Sequence, residues 1–260
     1  MAVCTRHRNQ TAMTSASTTS PSMRKPQRHG KRSAAVHALR MAVPWAMVLL
    51  TACASKPPPP DWQANAFAAL NSYSSAYLEG NTRVADFEFA RAQTEVARTG
   101  RLDLMARLEL VRCAAQVASL VLAPCTGYLA LAADAKPQEQ AYAAFISGHW
   151  VGLDPKLLPG AYQGLVTSQA AASAGANSQL SQIQDPLSRL IAAGALLQKE
   201  QLSQTDIGLA IDTASDQGWR RPLLAWLGVQ LKRSQAKGDA PQAASLQRRI
   251  DLILPTPASR

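Results

Sequence analysis

From Asp61 onward, glycine and proline recur between segments whose apolar residues return every three or four positions. A succession of short helices needs that punctuation: proline opens a helix or breaks one, and glycine ends one in a left-handed turn. Ala, Leu and Gln dominate the segments and β-branched residues are sparse, a composition that favours helix. No run alternates Val, Ile, Thr and aromatic residues as a half-buried strand does. The expected fold class is all-α, built of consecutive antiparallel helical hairpins with no sheet. Residues 61–255 are long enough for one domain with a sizeable core.

The expected helices follow in order. Asp61 caps the first, where Trp62, Phe67, Leu70, Tyr73 and Tyr77 form one stripe and Gly80 ends it. Asn81 or Thr82 opens a second, which runs to about Arg98 with Val84, Phe87, Ala92 and Val96 on its apolar side. The third, about 102–120, turns Leu104, Leu108, Val111 and Val117 inward. Its solvated face carries Asp103, Arg107, Glu109 and Arg112, with Asp103–Arg107 and Glu109–Arg112 at helical ion-pair spacing. The chain breaks at 123–127, and Pro137 opens a helix that ends near Ser147. Residues 149–164 read as turns and short helical pieces.

Residues 167–181 are low in complexity, so about 167–184 is expected to be a mobile connection. Asp185-Pro186 restarts a helix with Leu187, Leu190, Ile191 and Leu197 inward, and Gly194 on that face admits a close neighbour. Thr205 caps a helix containing Ile207, Leu209 and Ile211, and Pro222 opens one containing Leu223, Trp226, Leu227 and Leu231. Gly238-Asp239 leads into the last helix, where Leu246, Ile250 and Ile253 face inward, and 256–260 form a tail.

A different stretch precedes this domain. Arg6, Arg8, Arg24, Lys25, Arg28, Lys31, Arg32 and Arg40 are unopposed by any acidic residue before Cys53. The apolar run from Met41 to Leu50 follows, shorter than the ~20 residues a membrane-spanning helix needs. A cationic segment before a short apolar core is the pattern of a secretory leader. The first 22 residues are Ser/Thr-rich and fit no leader, so Met23 stands beside Met1 as a candidate start. The core closes on Leu50-Thr51-Ala52-Cys53, and this resembles the lipobox of bacterial lipoproteins.

The resemblance implies a diacylglyceryl group on the Cys53 thiol, cleavage after Ala52, and acylation of the new amine. Leu50, Thr51 and Ala52 match the residues that the signal peptidase recognises. It implies a leader over 1–52, and a lipidated cysteine with a proline-rich spacer over 53–60, Pro57 to Pro60 forming a polyproline II strut. Two or more acyl chains hold a protein stably on a membrane. Ala54 rather than Asp after the cysteine implies the outer membrane of a Gram-negative cell, with the domain facing the periplasm.

Removal of the leader would take most of the net positive charge with it. The chain carries 27 Lys and Arg; without the leader's eight, 19 remain against 17 Asp and Glu. A nearly neutral domain without a basic stripe is not built for nucleic acid.

Two glycine junctions are alike. Gly80-Asn81 is followed by Ala85, and Gly238-Asp239 by Ala243. This resembles the turn of tetratricopeptide repeats, and Ala85, Phe89 and Ala92 match that family's small-aromatic-small series. The first helix has Tyr73 and the other Leu231 where the family has a small residue, the closing proline is absent, and no 34-residue period is sustained. The resemblance implies an α-solenoid-like, tetratricopeptide-like stack of helix pairs over two hairpins.

Chemistry is sparse. His149 is the one histidine after Cys53, too few for a His/Cys zinc site with Cys113 and Cys125. The sequence lacks a nucleophile elbow, a phosphate-binding loop and a His-Glu-x-x-His helix, so no catalytic residue, metal ligand or cofactor is expected beyond the lipid on Cys53. The lipobox resemblance implies that Cys113 and Cys125 face an envelope that oxidises thiols. If the third helix stops by about Ser119 and the chain doubles back, they form a disulfide; if it runs to Leu122, the sulfurs are too far apart. Trp219-Arg220-Arg221 is a weaker contact point at a helix start.

These readings converge on a lipid-anchored helical module that binds envelope proteins. The alternatives are an envelope enzyme or glycan-binding protein with a cleft near His149, and a structural lipoprotein with no dedicated ligand.

Overall fold

The structure of the protein, a computed structural model, describes residues 58–171 and 179–254. It is all-helical: ten α-helices and three short 3-10 turns, with no strand among the described residues. The helices are α1 (Asp61–Glu79), α2 (Thr82–Ala97), α3 (Leu102–Ala118), α4 (Thr126–Leu129), α5 (Pro137–Ile146), α6 (Gly160–Ala171), α7 (Pro186–Gln198), α8 (Gln204–Asp216), α9 (Arg220–Ala236) and α10 (Ala240–Ile253). Consecutive pairs pack as antiparallel hairpins, most extensively α1 with α2 and α9 with α10.

The α1–α2 turn forms for local reasons. Gly80 takes φ 90°, which a Cβ would oppose, so the chain reverses there. The Asn81 N–H then donates to the Ala76 carbonyl at 2.8 Å, and its side chain accepts from the Val84 N–H. Asp61, expected as the α1 cap, is instead the first helical residue; Pro60 holds the cap position without a side-chain bond.

The buried face of this hairpin keeps Tyr73 and Tyr77 of the expected α1 stripe but not Phe67. Ala66, Ala69 and Ala76 of α1 meet Ala85, Phe89 and Ala92 of α2, while Phe67 and Phe87 are 59% and 64% exposed. Small residues let the two backbones approach closely, so the alanine stripe is enclosed and the two phenylalanines are left outside. Val84 faces outward with them.

α3 lies at the centre. Leu108 and Ala115 join the core of the α1–α2 hairpin, whereas Ala106, Leu110, Cys113, Ala114, Val117 and Ala118 join the larger core. It packs against α1, α2, α5 and α7, so its expected solvated face is largely covered. Glu109 is buried, paired with Arg112 and accepting from the Gln93 amide at 3.0 Å. The expected Asp103–Arg107 pair is not made: Asp103 pairs with Arg101 and Lys136, and Arg107 with Glu139. Partners on neighbouring segments replace the helical (i, i+4) geometry.

Gly194 of α7 sits against α3 as its position implied. A Cβ there would meet the Val117 carbonyl and lie 2.8 Å from Val117 Cγ1. α9 crosses the same region and sends Trp226, fully buried, to donate from its indole nitrogen to the Ala118 carbonyl at 3.1 Å. That bond satisfies a carbonyl at the α3 terminus that has no partner inside the helix. The hairpins therefore do more than stack on their sequence neighbours: α3 meets α7, and α9 reaches α1.

Other boundaries shift slightly. Asp185 caps α7, as expected, by accepting from the Ser188 N–H at 2.7 Å. At α8, Ser203 and not Thr205 is the cap, because Ser203 and Asp206 satisfy each other's backbone N–H in a capping box. The connection expected over about 167–184 is narrower at both ends. α6 continues to Ala171, and a 3-10 turn over Gln179–Gln182 buries Leu180. The centre of that connection, 172–178, lies outside the described residues.

Candidate functional site

The site begins at the end of α3. The helix stops at Ala118, and Leu120 takes a left-handed φ of 58° although it is not glycine. The Val121 N–H donates back to the Gln116 carbonyl at 2.9 Å, so the chain doubles back instead of running on to Leu122. This brings Cys125 beside Cys113, and the two form a disulfide with Cα atoms 5.8 Å apart. Cys113 is buried in α3, and Cys125 precedes α4.

Beyond the disulfide, α4 lies close to α3. A Cβ on Gly127 would run into the Glu109 carboxylate and the Arg112 guanidinium. Tyr128 points inward and is buried; Leu129 is exposed.

Between this reversal and α5 lies a cavity of about 490 Å³. Leu122, Pro124, Tyr128 and Leu129 form one wall, and Ala143, Ala144 and Ile146 form the other. Its polar lining is Gln140, Ser147, His149 and Gln198, with no carboxylate, lysine or arginine. Three of the four are committed elsewhere: Gln140 donates to the Ala135 carbonyl, Ser147 to Ala143 and Gln198 to Ile146, at 2.8–3.0 Å. Leu122 and Leu129 stand exposed at the rim.

His149 thus borders an apolar cavity and not a polar cleft. It follows Gly148 at the end of α5, where its N–H donates to the Ala144 carbonyl at 2.9 Å. The neighbouring Trp150 turns into the core and donates to the Phe145 carbonyl at 2.8 Å. Phe145, Trp150 and Tyr162 stack there, with ring centroids 4.4–5.1 Å apart. Burial pushes Tyr162 up to about 12 and raises Tyr142 beside it.

The remaining singled-out residues are placed elsewhere. Leu50, Thr51, Ala52 and Cys53 lie outside the described residues, as does most of the spacer. Arg221, read as an outward contact point, is turned inward: it donates to the Tyr77 carbonyl and the Thr82 hydroxyl at 2.7 Å and stacks on the Tyr77 ring. Among the described residues no group of three His, Cys, Asp or Glu is placed to hold a metal. No described helix is long and apolar enough to cross a membrane. The cavity itself escaped sequence reading. Its one trace was Leu122 and Leu129, apolar residues on either side of the expected break at 123–127.

No family model, curated protein or solved structure matches this chain.

Proposed function

We propose that this chain is a lipid-anchored envelope module, held by Cys53, that binds a protein partner through the apolar cavity between the 119–129 reversal and α5. The observation that carries the reading is the cavity's chemistry. Its walls are mostly apolar, three of its four polar side chains are already hydrogen-bonded within the domain, and two exposed leucines stand at its mouth. Such a site suits one or two apolar side chains inserted by a partner, the usual anchor of a protein interface. The anchor and the outer-membrane placement rest on the sequence around Cys53.

The test is photocrosslinking in living cells from a probe at Leu129, compared with one at exposed Phe67 on α1. The reading expects a small, reproducible set of envelope proteins from Leu129 alone, lost with Leu122→Asp and with Cys53→Ser. Equal capture from both positions, or none from Leu129, would sink it.

The glycan or enzyme reading keeps one supporting observation, that His149 borders the cavity. The absence of a carboxylate in the lining weighs against it, because acid–base cleavage of a glycoside requires a pair of them. Retention of purified protein on peptidoglycan, abolished by His149→Ala, would reverse this ranking.

A further inference from the structure

A second cavity, of about 430 Å³, opens on the opposite side of α5. Leu110 and Val111 of α3 and Leu157 and Leu158 of the 155–158 turn give it an aliphatic floor. Its charged lining is Arg107, Lys156 and Glu139. The Glu139 side chain is only 5% exposed, and its Oε1 accepts from both Nε and Nη2 of Arg107, the first at 2.8 Å. One cation is therefore neutralised. Lys156 is exposed and makes no ion pair among the described residues, leaving the lining one positive charge in excess.

The backbone adds to that excess. α5 begins at this cavity with Lys136 as its cap, and no side chain accepts from the first-turn amides. Gln138 and Glu139, the second and third residues of the helix, both border the cavity, so the positive end of the helix faces it. Glu139 is already paired with Arg107, so the lining's excess is one positive charge, which a single negative head balances and a second would exceed.

We propose that this cavity binds a small amphipathic carboxylate. Its single negative head lies at Arg107, Lys156 and the α5 N-terminus, and its aliphatic tail lies along Leu110, Val111, Leu157 and Leu158. The volume and the mix of an apolar floor with a few polar groups are those of a small-molecule site. The proposal is independent of the partner-binding cavity, which Arg107 and Lys156 do not border.

The experiment is calorimetric titration of the full chain carrying Cys53→Ser, so that no acyl group of its own competes. The probes are octanoate, octylammonium and octan-1-ol, which share one tail and differ in the head. Octanoate is expected to bind with a Kd of about 1 mM or tighter. The other two are expected to bind at least about tenfold more weakly, and Lys156→Glu should weaken octanoate at least about tenfold. Lys156 is exposed, so the variant keeps the fold, checked by circular dichroism. Failure of octanoate to bind, equal binding of octan-1-ol, or a Lys156→Glu variant that binds octanoate unchanged would each overturn the proposal.

Discussion

At Gly194, helix propensity and packing make opposite predictions. Propensity alone says that Gly194→Ala stabilises α7 by up to ~1 kcal/mol. The added methyl would strike the Val117 carbonyl and side chain, and neither is the free end of a flexible group. Overpacking of this kind costs ~1–3 kcal/mol, so packing wins. Gly194→Ala should unfold at lower urea than the native chain; a midpoint at or above native would show that α3 and α7 do not meet as described. The residue scale also shows where sequence reading misled. Phe67 and Phe87 are apolar residues at plausible spacing, yet the enclosed face is made of Tyr73, Tyr77, Phe89 and alanines. Transfer energy favours burying every phenylalanine, yet only Phe89 is enclosed here, because Phe67 and Phe87 lie on the outward faces of α1 and α2.

At the scale of elements, the segment from α3 to α4 depends on a reversal that the spacing of two cysteines could anticipate but not decide. Sequence reading left two branches, and the αL conformation of Leu120 selects the shorter helix. Closing a loop of 12 residues' separation should contribute roughly 3 kcal/mol through the unfolded chain. The paired substitution Cys113→Ala with Cys125→Ala is therefore expected to lower stability by about that amount in urea. It should also loosen the wall of the adjacent cavity, read as faster amide exchange over 121–129. Mass spectrometry of the protein purified without reductant should find both thiols blocked. Two free thiols there would exclude the bond. Caps were more legible than pairs: Asn81, Asp185 and Asp239 each cap the helix that follows them. At α8 two hydroxyl residues compete, and Ser203 is selected because Asp206 lies three residues after it.

For the whole molecule, the buried tyrosines set an alkaline limit. Tyr162 is pushed up to about 12, chiefly by burial, and Tyr142 and Tyr73 are raised for the same first reason. In the unfolded chain a phenol titrates near 10. The folded state therefore holds these protons more tightly. The stability they contribute is complete below about pH 10 and falls as pH rises through the folded values. Urea midpoints should be flat between pH 8 and 9 and drop steeply by pH 11. Tyrosinate absorbance from the core should appear with unfolding and not before; ionisation of the full complement in a still-folded protein would contradict the burial.

The sequence alone determined that the described residues fold as short helices, where most of them begin and end, and that the first of these opens at 61. Those features are local: they depend on propensity, on capping over three or four residues, and on glycine and proline at the turns. Only the tertiary structure decided which helix lies at the centre, that Glu109 is inside, and that Arg107 pairs with Glu139 rather than Asp103. It also decided that Arg221 closes onto Tyr77 and that cavities open on both sides of α5. The physical reason is distance along the chain. A helix face acquires its inward side, and a charge its partner, only when residues tens of positions away arrive against them, and no periodicity within one segment records that arrival.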